Sequence, residues 1–249
     1  MAESTENGVY LVIGATGSIG GATVKELQAK GFSVAAGVRD QERSQAVLGP
    51  YVPAYTVDAT SWESLEELFN AVEENEGKLA GVALCVGSIL LKPAHLTSEA
   101  DFDATLDLNL RSAFGVVRSA AKRMMKTGGS IVLVSTAAAR RGIPNHEAIA
   151  AAKAGVIGLV QSAAATYAGN GLRVNCVAPG LVHSNMSERI VNNKASLQAS
   201  EAMHPLGRIG QPDEVARAIA WFLDPAQGWV TGQVLGVDGG LGSLVAKAR

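Results

Sequence analysis

The sequence predicts an α/β fold of the doubly wound Rossmann type, a single domain built on one seven-stranded parallel sheet with helices on both faces. Three observations carry that prediction. Short apolar runs alternate with longer segments of helical period. Those runs are mostly apolar, as strands buried on both faces are. The first of them leads at once into a glycine-rich turn that opens a helix. With 249 residues, 47% of them hydrophobic, the chain can cover one sheet on both sides.

In chain order the strands read as Val9–Ile13, Ser33–Val38, Ala54–Val57, Gly81–Cys85, Ser130–Val134, Arg173–Ala178 and Val234–Val237. The helices between them read as Gly21–Lys30, Ser61–Asn75, Glu99–Lys126, His146–Ala168 and Asp213–Leu223, with Asn145 placed to cap the fourth. Leu106, Leu110, Ala113 and Val117 recur at helical spacing in the third. The fourth carries the small residues Ala150, Ala154, Gly155 and Gly158. Ordinary packing on the sheet and a contact between subunits of a homodimer or homotetramer account for these equally. Residues 181–210 have weak periodicity and read as a long excursion of the kind that covers a site.

Several function classes are excluded by charge and composition. A net charge of −2 gives no basic field for nucleic acid or anionic lipid. The polar, acidic stretch Met1–Gly8 is unlike a secretory signal and no uninterrupted apolar run reaches spanning length, so a cytoplasmic protein without membrane contact is expected. Cys85 and Cys176 lie in separate strand-like runs, which predicts free thiols, and the four histidines lack metal-ligand spacing, which predicts no metal.

The functional signal begins at Gly14-Ala15-Thr16-Gly17-Ser18-Ile19-Gly20, between the first strand and the first helix. Gly14, Gly17 and Gly20 let the turn tighten, and the backbone N–H groups of this segment, Thr16, Ser18 and Ile19 included, face a pyrophosphate at the positive end of a helix. The second strand ends in Arg39-Asp40, beside the place where the adenine ribose of a dinucleotide would lie. Asp40 suits the ribose hydroxyls of NAD(H). Arg39 suits the 2′-phosphate of NADP(H) and comes first, so NADP(H) is favoured. Asp58, after the third strand, either supports the start of the next helix, which Thr60 or Ser61 could cap, or meets the adenine amino group.

Gly14 to Gly20, Asp58, Asn109, Lys153, Asn175-Cys-Val-Ala-Pro179-Gly180 and Val230-Thr-Gly-Gln-Val-Leu-Gly-Val-Asp238-Gly-Gly240 follow one another in this order, and together they resemble the short-chain dehydrogenase/reductase family over nearly the whole chain. The resemblance implies NAD(P) bound across the carboxyl ends of the strands, Asp58 as an adenine contact, and Pro179, Gly180 and Val182 beside the nicotinamide carboxamide. It also implies a small carbonyl or alcohol substrate.

That family's chemistry rests on a Ser, a Tyr four residues before a Lys, and an Asn on the preceding long helix. Here Lys153 and Asn109 are present, Thr136 holds the serine position next to Ser135, and the tyrosine position holds Ile149. Leu84-Cys85-Val86-Gly87 and Ser18 are further departures. Ile149 cannot give the proton a developing alkoxide needs, and general acid catalysis is worth about 10²–10⁴-fold in rate. His146, one turn before Ile149 on the same helical face, is the best substitute. A helix start disfavours its cationic form, although a neutral ring could polarise a carbonyl. His183 is a weaker candidate and Tyr167 lies several turns away. Two functions follow: an NADP(H)-dependent oxidoreductase with an altered active site, or a non-catalytic NADP(H)-binding redox sensor or assembly partner.

Overall fold

The computed structural model describes residues 8–246; apart from Gly8, the polar N-terminal stretch lies outside the described residues. The strands are β1 (Val9–Ile13), β2 (Val34–Val38), β3 (Ala54–Thr56), β4 (Leu79–Leu84), β5 (Gly129–Val134), β6 (Leu172–Pro179) and β7 (Val234–Val237). They form one parallel sheet in the order β3-β2-β1-β4-β5-β6-β7. The winding direction reverses between β1 and β4, so the carboxyl ends of these two strands border the crevice in which such sheets bind ligands.

The helices are α1 (Ser18–Ala29), α2 (Gln41–Leu48), α3 (Trp62–Glu76), α4 (Glu99–Leu106), α5 (Ser112–Met124), α6 (Glu147–Tyr167), α7 (Glu188–Val191), α8 (Lys194–Met203) and α9 (Pro212–Leu223). On one face Leu65, Phe69, Val116 and Val160, from α3, α5 and α6, pack on Leu11, Ile131 and Val174. On the other Val24, Leu27, Ile219 and Phe222, from α1 and α9, pack on Val12 and Val132. This two-sided burial is why most of the strands carry no polar alternation; β6 departs from it with the buried Arg173 and Asn175. Helix α6, long and apolar enough by composition to cross a membrane, packs here on the sheet and on α5.

Four expectations need correction. The helix read as Glu99–Lys126 is broken by a π-helical turn at Asp107–Arg111, between α4 and α5. Helix α2 was not foreseen: it is short and polar, and Ser44 is its only buried residue. The excursion 181–210 contains regular structure, α7 and α8, the latter capped by Asn193. Asn145 does not cap α6. It sits at φ 64° with its carbonyl accepting from the Lys92 N–H, and His146 takes the cap position. Leu110 fits against Gly155 of α6, where a Cβ would lie 2.9 Å from its methyl group, so part of the small-residue stripe serves packing within the chain.

The far edge of the sheet is held by a buried guanidinium. Arg173 donates to the carbonyls of Phe222 (2.8 Å), Asp224 (3.2 Å) and Val230 (3.4 Å), fixing the end of α9 and the approach to β7. Buried acceptors that lose their donor typically cost about 1–3 kcal/mol. Arg173→Met is therefore expected to lower stability by that amount in urea unfolding, with amide exchange fastest around 222–230.

Candidate active site at the carboxyl edge of the sheet

Helix α1 starts three residues earlier than its pattern indicated, and this brings its positive end directly under the Gly14 turn. Gly14 adopts φ 84°, and a Cβ there would lie 2.9 Å from the Cys85 carbonyl, so the turn requires glycine. A Cβ on Gly20 would run into the Gly14 carbonyl. The N-cap Gly17 offers no side-chain oxygen and the first turn of α1 has no acidic residue. The helix therefore begins without a side-chain cap and fits the diphosphate of a dinucleotide.

Along the same edge, Arg39 and Asp40 are both exposed after β2. Asp40 accepts from the Arg43 N–H at 3.1 Å as the N-cap of α2, which gives it a structural duty that the sequence alone did not reveal. Asp58 accepts from both the N–H (2.9 Å) and the hydroxyl (2.7 Å) of Thr60, and these bonds hold its carboxyl below the usual range, with a smaller contribution from the Arg39 charge. Ser61, one of the two candidates, caps α3.

Deeper in the crevice Lys153, buried on α6, donates from Nζ to the Val134 carbonyl at 2.8 Å. Ser135 returns the tie: its hydroxyl donates to the Lys153 carbonyl at 2.9 Å. This bond commits the Ser135 proton and removes Ser135 as a donor to a substrate. The Thr136 hydroxyl is differently engaged, accepting from the Ala138 N–H (3.3 Å) and making a long bond to the Pro179 carbonyl (3.4 Å). Asn109, 1% exposed, sits in the π turn. Its Oδ1 accepts from the Ser88 N–H, while its amide donates to the Ser88 hydroxyl and the Thr105 carbonyl. Between Asn109 and Lys153 lies Gly87, where a Cβ would fall 2.9 Å from Asn109 Oδ1 and 3.3 Å from Lys153 Nζ.

Above this cluster opens a cavity of about 550 Å³, walled by Ile89, Leu91, Ile143, Ile149, Met186 and Met203. Thr136, Pro179, Gly180 and Val182 also line it, and among the described residues no tyrosine does. Ile149 is 5% exposed and forms part of the wall. His146 lines the cavity too. Its Nδ1 lies 2.8 Å from the Pro144 carbonyl, and since a carbonyl only accepts, Nδ1 carries the proton. A neutral His146 therefore has no N–H left to polarise a carbonyl in the cavity, which corrects that expectation. His183 is not among the lining residues; its backbone N–H bonds to Gly210.

His204, which the sequence did not single out, is buried in the wall. Its Nε2 accepts from the Leu181 N–H at 3.1 Å and its Nδ1 faces the Ser200 carbonyl at 2.6 Å, so it latches α8 onto the end of β6. Gly180 packs against the ring so closely that a Cβ there would lie 2.5 Å from Nε2.

A family model described as Enoyl-(Acyl carrier protein) reductase matches residues 14–242. The chain is 33% identical over 251 residues to a 3-oxoacyl-[acyl-carrier-protein] reductase of Thermotoga maritima, covering 95% of this chain and 98% of that one. A solved short-chain type dehydrogenase/reductase from Mycobacterium ulcerans superposes with a TM-score of 0.89 at 29% identity, covering 98% and 92% of the two chains. An actinorhodin polyketide ketoreductase, solved with NADPH, superposes with a TM-score of 0.90 at 27% identity, covering 96% and 98%. Fold and crevice are those of the Rossmann-type nicotinamide-dependent oxidoreductases. The chain belongs to the short-chain dehydrogenase/reductase family.

Burial holds the Lys153 ammonium down from 10.5 to about 8, against smaller opposing effects of Cys176 and Cys85. Between these values the unfolded chain binds a proton that the folded chain does not, so stability rises with pH across that window. Relative to Lys153→Met, the wild type is expected to gain up to about 1.4 kcal/mol per pH unit between pH 8 and 10.5, read from urea midpoints. A difference that stays flat with pH would contradict the burial of the charge.

Proposed function

We propose that the chain is an NADP(H)-dependent oxidoreductase acting on an uncharged, largely apolar carbonyl or alcohol, with an altered proton-handling site. One observation carries the reading: the uncapped start of α1 and the Lys153–Asn109–Thr136 group lie along one edge of the sheet, beneath a cavity whose wall is mostly apolar. The nicotinamide, when bound, gives hydride to or takes it from the substrate carbon. The segment with Gly14, Thr16, Gly17, Ser18, Ile19 and Gly20 would hold the diphosphate, Asp58 the adenine, and Lys153 the nicotinamide ribose. Pro179, Gly180 and Val182 would face the carboxamide. Thr136 orients the substrate oxygen through its hydroxyl, and Asn109 holds Ser88 and the π turn in place beneath it.

NADP(H) is favoured because Arg39 is exposed at the end of β2 while Asp40 is engaged by α2. The polyketide ketoreductase solved with NADPH supports the same choice. Helices α7 and α8, latched by His204, cover the substrate side, which gives 181–210 the role of a substrate cover. Cytoplasmic residence fits the two free thiols. A homodimer or homotetramer fits the exposed apolar side chains Phe114, Trp221 and the fully exposed Trp229.

Titration followed by cofactor fluorescence tests the assignment. NADPH is expected to bind about 10–100-fold tighter than NADH, and Arg39→Leu to remove most of that difference, since a hydrogen-bonded charge pair of this kind is worth about 1.5–3 kcal/mol. Equal affinities in the wild type would overturn the NADP(H) assignment. Gly20→Ala is expected to abolish binding of both cofactors in the same assay, because its Cβ meets the Gly14 carbonyl.

A further inference from the structure

We propose that His146 takes and returns the hydroxyl proton of the substrate in this chain; the proposal rests on the oxidoreductase reading above. Among the described residues that line the cavity, the ionisable side chains are Cys85, His146, Lys153 and His204. Three of them are unsuited. The Cys85 thiol is pushed up to about 12 by burial and holds its proton. Lys153 is tied to Val134 at the floor beside Gly87, one turn of α6 beyond the bulk of Ile149. His204 uses both ring nitrogens, one toward Ser200 and one toward Leu181, so it has no lone pair for a ligand.

His146 is left with one. The Pro144 carbonyl fixes its proton on Nδ1 and its ring orientation, and Nε2 has no hydrogen-bond partner among the described residues. A carbonyl behind one nitrogen sets the tautomer of the other, the arrangement that prepares an imidazole to accept a proton. The ring stands at the first turn of α6, three residues before Ile149, and is half-buried between the apolar wall and solvent. It can therefore reach a substrate oxygen held near Ile149 and pass the proton on to water.

In the oxidative direction an N–H bond forms at Nε2 as the substrate O–H bond breaks. The electron pair released closes the C=O bond, and the carbinol C–H pair leaves as hydride to the oxidised nicotinamide. One alcohol and one oxidised cofactor give one carbonyl, one reduced cofactor and one imidazolium. The half-buried ring borders solvent, so the proton passes on to water and the ring is ready again. In the reductive direction the imidazolium donates. Among the described residues the cavity offers no charged clamp, so the substrate class is a neutral secondary alcohol or ketone.

The test uses cyclohexanol and menthol with NADP+, and cyclohexanone and menthone with NADPH. His146→Ala is expected to lower kcat about 10²–10⁴-fold with cofactor affinity unchanged. Added imidazole, or Ile149→Tyr in the same background, is expected to recover at least tenfold of it. Turnover within threefold of wild type, or a loss that neither imidazole nor the tyrosine recovers, overturns the proposal and leaves the oxidoreductase reading intact. A wild type that binds NADPH and turns over no probe overturns both. Independently of any variant, nitrogen NMR of histidine-labelled wild type at alkaline pH is expected to show His146 protonated on Nδ1 and bare on Nε2. An Nε2–H tautomer, or a bare Nε2 signal that does not move when cyclohexanol joins NADP+ on the protein, overturns it.

Discussion

The reciprocal tie between Lys153 and the end of β5 is the constraint on which the rest of the site depends. The Lys153 ammonium donates to the Val134 carbonyl while the Ser135 hydroxyl donates to the Lys153 carbonyl, so a side chain and a backbone group of α6 are both fixed to the sheet. A buried cation is costly, and one carbonyl repays only part of its lost hydration. Among the described residues, no carboxylate lines the cavity to repay the rest. The consequence is a lysine that gives up its proton near pH 8, held rigidly enough to fix where Gly87, Asn109 and Ile149 lie around it.

The π turn at Asp107–Arg111 is the second half of that arrangement. A regular helix from Glu99 to Met124 would turn each residue after the turn by a fixed angle; one extra residue in the turn shifts that register and directs the Asn109 amide inward toward Ser88 and the Thr105 carbonyl. Such bulges carry a cost and occur mostly where a side chain must be aimed. Here the bulge lets one helical stretch serve two surfaces, the core through Val116 and Val117 and the site through Asn109.

The framework was legible because burial on both faces leaves its mark in composition: all seven strands and the main covering helices show as apolar runs and helical periods. What escaped reading shares one cause. Helix α2 buries almost nothing, and the π turn changes hydrogen bonding without changing residue pattern. At the site, residue types could be read and directions could not. Ser135 and Thr136 are adjacent hydroxyls, and only the backbone shows that one is committed to α6 while the other lies toward Pro179. Asn145 was a good cap by type, but its left-handed backbone places His146 at the helix start. His204 had no sequence signal beyond being a histidine before a proline, because its two partners come from separate elements.

In the function proposed above, cofactor cradle and proton route are built on different parts of the chain. The cradle depends on the Gly14 turn, the ends of β2 and β3, and the start of α1; the cavity wall depends on the first turn of α6 and the loop before it. Lys153 adjoins both, as do Ile19, Pro179 and Val182, which also line the cavity. Ile149 is buried in the packing of α6 and puts no polar atom into the wall. A drier cavity makes an unplaced proton more costly, since charge is poorly solvated there. A proton-handling group in such a place needs its tautomer set in advance by a fixed backbone acceptor, and the role proposed for His146 finds that acceptor in the Pro144 carbonyl.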